Sequence, residues 1–365
     1  MKFTPEQKLL LSCNRQNFTE AHQQIVENLS RTREIDWELI FRTAQLHGVA
    51  CLIYTNLQRS SISIPAEIEA KFRQITFTNI LNKEKLAQNI ALALDYFEKK
   101  SIKVMLIKGA ALDVLVYKQP FYMNLLDADL IINVKRDEIS ETEWKENRWF
   151  LHKTGLEYDY FVHHDVIMNG ALPVDFERIW KDAQQVEFRG RKLLVMSPED
   201  LLITGCINSC RKRYFRLKSL CDLAETINHY PDLDWAKLAD KAKAYRCHLI
   251  VYTALFVASQ TVGCDLPDNL RKTLGVGRLR AKAIHDLVQR SSLTAYDALF
   301  ASKAVLNRKL DHTLALSYAT FQWSQIWSRL KFVWFYSTGE KRRKFVWRNG
   351  KLQIDTAQTI KGTKS

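Results

Sequence analysis

Short β-rich runs occur, within the first 310 residues, only between about 100 and 196, and this confinement limits the fold more than any other feature of the sequence. Four segments there have the length and apolar content of strands or hairpins: 102–107 (IKVMLI), 125–132 (LLDADLII), 171–180 (ALPVDFERIW) and 184–196 (QQVEFRGRKLLVM), which is expected to turn near Gly190. The flanking residues have helical spacing, with capping signatures that begin at Thr4 and Ser197. A small mixed sheet between helical segments is an α+β architecture.

We therefore divide the chain into four segments. They are a helical segment 1–99, a mixed-sheet core 100–196, a helical domain 197–310 and a C-terminal stretch 311–365. The last contains an amphipathic, Trp-rich helix at about 321–336, followed by a basic tail. Packing of this helix on its own protein or on a partner is commoner than contact with a membrane surface or a nucleic acid, although the sequence allows each.

The overall charge and the cysteines narrow the class of protein. The net charge is +14, and basic residues are densest in 271–290 and 341–351. Such a surface suits phosphate-bearing partners, whether nucleotides, RNA or anionic lipids, without distinguishing among them. Seven cysteines without a CxxC pair argue against a disulfide framework or a zinc site. No apolar run approaches the ~20 residues needed to cross a bilayer, so we expect a soluble protein of the cytoplasm.

Two aspartates lie one residue apart inside the apolar run 125–132. Side chains alternate along a strand, so Asp127 and Asp129 are expected on the same face, roughly 6–7 Å apart. Two carboxylates on one half-buried face repel each other and lose solvation, which a divalent cation would offset. The alternative is that both acids simply face solvent at a strand end.

The strand at 102–107 leads directly into a glycine turn and a helix. This arrangement sets the backbone N–H groups of Gly109, Ala110 and Ala111 at a helix N-terminus, where a phosphate can bind. Lys108 adds a positive charge. The motif KGAA lacks the spacing of a Walker sequence, so a purely structural turn is the alternative.

A third carboxylate, Asp175, is expected in the middle of the strand at 171–180. A phosphate-binding turn, a DxD strand and a third acid are together what two-metal nucleotidyl transfer needs. Asp127 and Asp129 would bind both Mg²⁺ or Mn²⁺ ions. Asp175 would bind only the second ion, where it would also receive the proton of the acceptor.

These motifs resemble those of the uncharacterised bacterial nucleotidyltransferases of the polymerase-β superfamily. The resemblance covers roughly residues 30–270 and rests on these stretches: IDWELIFRTAQLHGV, LIKGAAL, Tyr117, DADLIINV, PVDFERIW, SPEDLL, RLKSLCDLAETI and DWAKLADKA. It implies a polymerase-β-like core that moves a nucleoside monophosphate from a nucleoside triphosphate, such as ATP, to an acceptor hydroxyl. It also implies that Asp127, Asp129 and Asp175 are the catalytic metal ligands.

The same resemblance indicates which residues hold the nucleotide. They are the turn residues Lys108, Gly109 and Ala110, together with Arg216 and Lys218 on a later helix. An exposed basic helix face is the commoner explanation for the last two residues.

Two positions depart from the family pattern. The arginine expected shortly before the first aspartate is replaced at Met123, and the histidine after the third acid is replaced by Glu177. In the leading hypothesis the acceptor is a small molecule, a peptide or a protein. The alternatives are an RNA acceptor, held by the basic stretches, and a non-catalytic binding protein that lost turnover with the arginine. His163 or His164 is a weaker candidate for a general base, because adjacent strand residues point to opposite faces.

Overall fold

A computed structural model describes residues 3–32, 34–117, 119, 122–168, 170–291, 320, 344–348 and 351–355. Within them the helices are α1 (Pro5–Cys13), α2 (Glu20–Thr32), α3 (Trp37–Leu46), α4 (Ala50–Arg59), α5 (Ala66–Glu98), α6 (Lys108–Leu115), α7 (Glu141–Thr154), α8 (Phe176–Asp182), α9 (Pro198–Arg211), α10 (Leu217–His229), α11 (Trp235–Ala244), α12 (His248–Thr261), α13 (Leu270–Thr273) and α14 (Arg278–Arg290). The strands are β1 (Val104–Ile107), β2 (Asp129–Ile132), β3 (Glu157–Tyr160), β4 (Gln184–Phe188), β5 (Arg191–Val195), β6 (Lys344–Arg348) and β7 (Lys351–Asp355). Helices precede and follow the strands of the main sheet, which confirms the α+β class.

The main sheet has the strand order β3-β2-β1-β5-β4 and mixes parallel with antiparallel pairs. β1 runs antiparallel to β2 and parallel to β5, while β2 runs parallel to β3. All four residues of β1 are buried, because this strand lies at the centre of the sheet. α6 begins at the residue after β1, so its N-terminus lies at the edge of the sheet where β1 ends.

Helices from both ends of the chain pack on each other as well as on the sheet. The side-chain amide of Asn14, after α1, donates to the carbonyl of Leu217 over 3.3 Å. The backbone N–H of Leu217 donates to Nδ1 of His47, after α3, over 3.0 Å. These contacts fix the start of α10 against the N-terminal helices. Buried apolar residues of all three regions belong to one core, and the division into separate domains stays a prediction.

Two of the strand predictions are wrong in extent or in type. β2 begins at Asp129, so the first aspartate of the pair lies in the connection before the strand. The segment expected to form the third strand forms α8, because Asp175 accepts the backbone N–H of Arg178 over 3.1 Å and caps the helix. Phe176 and Ile179 are both buried, which is the spacing of a helix face rather than of a strand face.

Other local predictions are confirmed. β4 and β5 form the expected hairpin, and its two turn residues, Arg189 and Gly190, both have positive φ, as a tight hairpin turn requires. The side chain of Ser197 accepts the backbone N–H of Asp200 and begins α9. Thr4 forms a complete capping box at the start of α1.

Several other features bear on the sequence-based expectations. In the described part of the chain, no helix is both long and apolar enough to cross a membrane. All seven cysteines are free thiols, and six of them are buried. β6 and β7 pair as an antiparallel hairpin. The Trp-rich helix predicted at 321–336, and residues 292–310 of the predicted helical domain, lie outside the described residues.

Candidate functional site

The junction between β1 and α6 leaves a helix N-terminus without a side-chain cap. The residue at the cap position, Ile107, has no side chain able to accept a hydrogen bond, and α6 begins immediately after it. Backbone N–H groups in the first turn of a helix have no partner within the helix, and the helix dipole makes this end attractive to anions. The expected position for a phosphate is therefore present at residues 108–111.

The left-handed residue of this turn is not its glycine. Lys108, not Gly109, has the left-handed backbone, with φ of +55°. A residue with a side chain is strained there by about 1–2 kcal/mol. Two side chains approach Gly109, since a methyl group on it would lie 3.4 Å from Cδ1 of Leu125 and 3.6 Å from Nζ of Lys218, both ordinary contact distances. The lysine of α10 therefore lies close to the first turn of α6.

Asp129 lies at the same edge of the sheet, because it pairs with the last residue of β1, Ile107. Its Oδ1 accepts a hydrogen bond from Nζ of Lys108 over 2.9 Å and lies 3.3 Å from Nε2 of His163. Burial alone would raise the pKa of Asp129, but the hydrogen bond to His163 and the charge of Lys108 outweigh burial and lower it. Asp129 is therefore an ionised, buried carboxylate.

Asp165 is a second anion at this position, and sequence reasoning missed it. It accepts from Nζ of Lys108 over 3.1 Å and forms an ion pair with Arg211 over 2.8 Å. Burial would raise its pKa, but the charges of Arg211 and Lys108 hold the pKa of Asp165 well below its usual range. The backbone N–H of Asp165 donates to Nδ1 of His163. The Nε2 atom of a neutral His163 then carries the proton and donates to Asp129.

A group of cations lies next to these acids. Lys212, after α9, feels the charges of Arg211, Arg216 and Lys108, and burial together with these charges lowers the pKa of Lys212 to about 8. Its ammonium has no hydrogen bond or ion pair within the described residues. Arg216 is thus near enough for its charge to act on Lys212, and its Nη2 would lie 3.3 Å from a methyl group on Gly48.

Lys218 is held at the turn by a network of its own. Its ammonium forms an ion pair with Asp222 over 3.1 Å, one helical turn further along α10. The hydroxyl of Tyr117, two residues after α6, donates to the same carboxylate over 2.6 Å. The carboxylate of Asp222 therefore orients Lys218 toward Gly109. The structure thus brings together Gly109, Tyr117 and Lys218, which belong to three separate sequence motifs.

The first aspartate of the pair behaves differently from the second. Asp127 is exposed, whereas Asp129 is buried. Glu157, on β3, pairs in register with Asp129. Burial and the negative charges of Asp129 and Asp127 raise the pKa of Glu157. Three acids, Asp127, Asp129 and Glu157, thus lie near one another at this edge of the sheet, and Glu157 is one that sequence reasoning did not consider.

Asp175 does not join the other two aspartates. Its side chain caps α8, and its carbonyl accepts from the hydroxyl of Tyr245 over 3.5 Å. Among the described residues, which include all three aspartates, no group of three His, Cys, Asp or Glu side chains could hold a metal ion. The expected set of three metal-binding aspartates is therefore not assembled in this structure.

The residues present fit a divalent cation that shares its ligands with a nucleotide. In the part of the chain that the structure describes, no group of three His, Cys, Asp or Glu side chains could hold a metal by itself. Mg²⁺, however, is usually bound by one or two carboxylates together with substrate phosphates and water. Asp127 is exposed, and Oδ2 of Asp129 makes no hydrogen bond within the described residues, so both can offer oxygen ligands.

Signals for the residues that were missed do exist in the sequence, but they are weak. Asp165 belongs to the tripeptide HHD after β3, and Arg211 and Lys212 end the helix that starts at SPED. Nothing in their local spacing indicates that they meet the β1–α6 turn. Contacts between residues this far apart depend on how α9 packs against α6, which local patterns do not encode.

Comparison with known proteins gives one match. The model of a family described as an uncharacterised nucleotidyltransferase matches residues 33–263. This range contains α3 to α12 and every site residue discussed above. Searches of the curated proteins and of the solved structures gave no match.

Proposed function

The chain belongs to the uncharacterised nucleotidyltransferase family, and from that premise we propose that it moves a nucleoside monophosphate from a nucleoside triphosphate to an acceptor hydroxyl. The acceptor is a small molecule, a peptide or a protein, and the reaction uses Mg²⁺ or Mn²⁺. In this reaction the acceptor oxygen forms a bond to the α-phosphorus, and the bond from that phosphorus to the pyrophosphate oxygen breaks.

One observation carries the proposal. An uncapped helix N-terminus lies beside a lysine from a distant helix, since a methyl group on Gly109 would be only 3.6 Å from Nζ of Lys218. Oriented N–H groups and a nearby ammonium are the two partners that a phosphate chain needs. Lys108 and Lys212 add positive charge on the side of Asp165. In this proposal the triphosphate lies along α6 and toward these cations.

The acids have separate roles in the proposal. Asp127 and Asp129 hold the divalent cation together with the phosphates, and His163 orients Asp129 through its Nε2–H. When bound, the cation neutralises phosphate charge and lowers the pKa of the attacking hydroxyl. Glu157 accepts the proton of the acceptor, a role supported by its raised pKa and by its register with Asp129.

Asp175 keeps the role of second metal ligand only as a sequence-based proposal. Its cap contact with Arg178 supports a structural role as well. The two acids can be compared directly: Glu157→Gln should lower the rate of transfer without changing nucleotide affinity, because a proton acceptor acts on the bound complex. If Asp175→Asn lowered the rate and Glu157→Gln did not, the roles of the two acids would be reversed.

The test of the proposed function follows the label on the α-phosphate. Full-length protein is incubated with each α-labelled nucleoside triphosphate, Mg²⁺ and a cell extract, and labelled products are separated by class. Asp129→Asn should lower transfer by more than about 100-fold, since even the outer-shell partners of metal ligands cost about 10–100-fold when removed. Asp232→Asn, an exposed acid after α10, is the matched control and should transfer like the wild type.

The same experiment also distinguishes the two alternative functions that the sequence analysis left open. Labelled RNA, together with RNA binding that weakens at ~150 mM salt, would favour the RNA acceptor and the exposed basic residues of α14. Nucleotide binding without any labelled product would favour a non-catalytic binding protein. Transfer by Asp129→Asn at the wild-type rate would contradict the assigned metal site.

A further inference from the structure

A cavity of about 100 Å³ lies between the segment after α1 and the helices α2 and α10. Its walls come from the segment after α1, from α2, from α10 and from the end of α12: Asn14, Arg15, Asn17, His22, Ala224, Glu225, Asn228, Val262 and Gly263. The residues from the N-terminal segment precede the range that matches the family, so the family as a whole does not define this cavity.

Two opposite charges face the cavity without pairing with each other. Nη2 of Arg15 donates to the carbonyls of Leu11 and Val262, over 3.2 and 2.8 Å, and its Nε is buried without an acceptor. Glu225 accepts the backbone and side-chain N–H groups of Gln16, over 2.9 and 3.1 Å. Within the described residues, neither Arg15 nor Glu225 forms an ion pair.

Burial acts against both charges. It lowers the pKa of Arg15 and raises the pKa of Glu225. The attraction between the two side chains only partly offsets this effect, because no direct contact joins them. A ligand that brought a negative group to Arg15 and a positive group to Glu225 would stabilise both ionised forms.

Asn14 also lines the cavity. It is 1% exposed, and its Nδ2 donates to the carbonyl of Leu217, while its Oδ1 is itself buried and has no hydrogen-bond partner. The assignment of a ligand therefore rests on Arg15 and Glu225, which carry the two charges.

We propose that this cavity binds a small zwitterion of the size of the smallest α-amino acids, with its carboxylate on Arg15 and its ammonium on Glu225. The volume equals that of about three water molecules, which suits a ligand of about five heavy atoms. A simple anion would meet the carboxylate of Glu225, and a simple cation would meet the guanidinium of Arg15. Only a ligand that carries both charges matches both walls.

This inference does not depend on the proposed nucleotidyl transfer. Gln16 links the cavity to α6, because its Nε2 donates both to the carbonyl of Val116, the residue after α6, and to Glu225 in the cavity wall. The ligand itself, however, is recognised by residues outside the nucleotide site. Binding can therefore be measured on the full chain without nucleotide.

The test uses glycine as the probe, with acetate and methylamine as its two halves, in isothermal titration calorimetry. Wild-type protein should bind glycine at least about tenfold more tightly than either half. Glu225→Gln should remove the advantage of glycine over acetate, and Arg15→Gln should remove its advantage over methylamine. Arg73→Gln, an exposed arginine on α5, should leave all three affinities unchanged.

A second variant covers the case in which loss of the Arg15 contacts prevents folding. Asn228 is exposed at the mouth of the cavity, so Asn228→Trp closes the mouth without removing a buried contact. This variant should melt like the wild type and bind glycine at least about tenfold more weakly. The proposal is overturned if the wild type shows no saturable binding of glycine, or if glycine binds unchanged to both Asn228→Trp and Glu225→Gln. Either result would mean that this cavity holds only water and not a zwitterion.

Discussion

At the scale of the residue, Lys212 is the clearest probe of the phosphate site. Burial and the charges of Arg211 and Arg216 lower its pKa to about 8, while Asp165 attracts its proton and Lys108 repels it. A lysine of this kind titrates near neutral pH, whereas an exposed lysine does not. It therefore reports on whether an anion binds beside it.

The affinity for nucleoside triphosphate should fall as the pH rises above about 8. A triphosphate binds the protonated Lys212 and raises its pKa, so the gain in affinity is fully present below that pH and is lost above it. Lys212→Arg should remove this pH dependence, because a guanidinium stays protonated beyond about pH 12. Nucleotide titrations from about pH 7 to about pH 10 measure the effect. Lys192→Arg, on an exposed position of β5, is the control and should keep the wild-type slope.

Larger side chains at position 109 test the same phosphate site. Because its backbone is not left-handed and a Cβ would make ordinary contacts, Gly109→Ala should fold and bind nucleotide nearly as well as the wild type. Gly109→Val adds two methyl groups between Leu125 and Lys218 and should weaken binding by at least ~10-fold, about 1.4 kcal/mol. If a well-folded Gly109→Val protein bound nucleoside triphosphate as tightly as the wild type, the assignment of the phosphate site to this turn would be wrong.

At the scale of the element, α8 shows how a local pattern was assigned to the wrong structure. The stretch ALPVDFERIW is short, apolar and rich in residues that suit strands, so its periodicity alone does not separate a strand from a helix. Asp175 decides the matter, because its carboxylate satisfies the N–H of Arg178 and begins the helix.

The cap gives a prediction about stability. Asp175→Ala should lower the free energy of unfolding by about 1 kcal/mol, the usual cost of losing an aspartate cap. Asp175→Asn should cost much less, since asparagine caps helices equally well. Denaturant unfolding of the two variants measures the difference. Equal destabilisation by both substitutions would mean that the negative charge, and not the cap hydrogen bond, is what the residue contributes.

At the scale of the whole molecule, a contact joins α9 to the C-terminal part of the chain. The hydroxyl of Tyr214, a fully buried residue just after α9, donates to Oγ1 of Thr320 over 3.0 Å. Thr320 is itself buried, so this residue packs on the protein. The contact lies two residues from Lys212, at the edge of the cation group.

Thr320→Val should lower the free energy of unfolding by about 0.5–1.5 kcal/mol, because valine keeps the shape but removes the hydrogen bond to the buried hydroxyl of Tyr214. Thr273→Val, at an exposed hydrogen bond that ends α13, should change stability much less. Thermal unfolding of both variants provides the measurement. A Thr320→Val protein as stable as the wild type would show that this contact contributes nothing to packing.

The sequence by itself determined the elements whose causes are local. The strand that enters the glycine turn, the caps at Thr4 and Ser197, and the hairpin at Gly190 all follow from the spacing and conformational preferences of neighbouring residues. The class of the fold and the family follow from these same stretches.

Only the tertiary structure decided which charges meet. Register places Asp129 beside the end of β1, and helix packing brings Asp165, Arg211 and Lys218 to the turn of α6. It also uses Asp175 as the cap of α8. Such contacts join residues up to about a hundred positions apart, and their free energy depends on burial and on distances between side chains that no local pattern records.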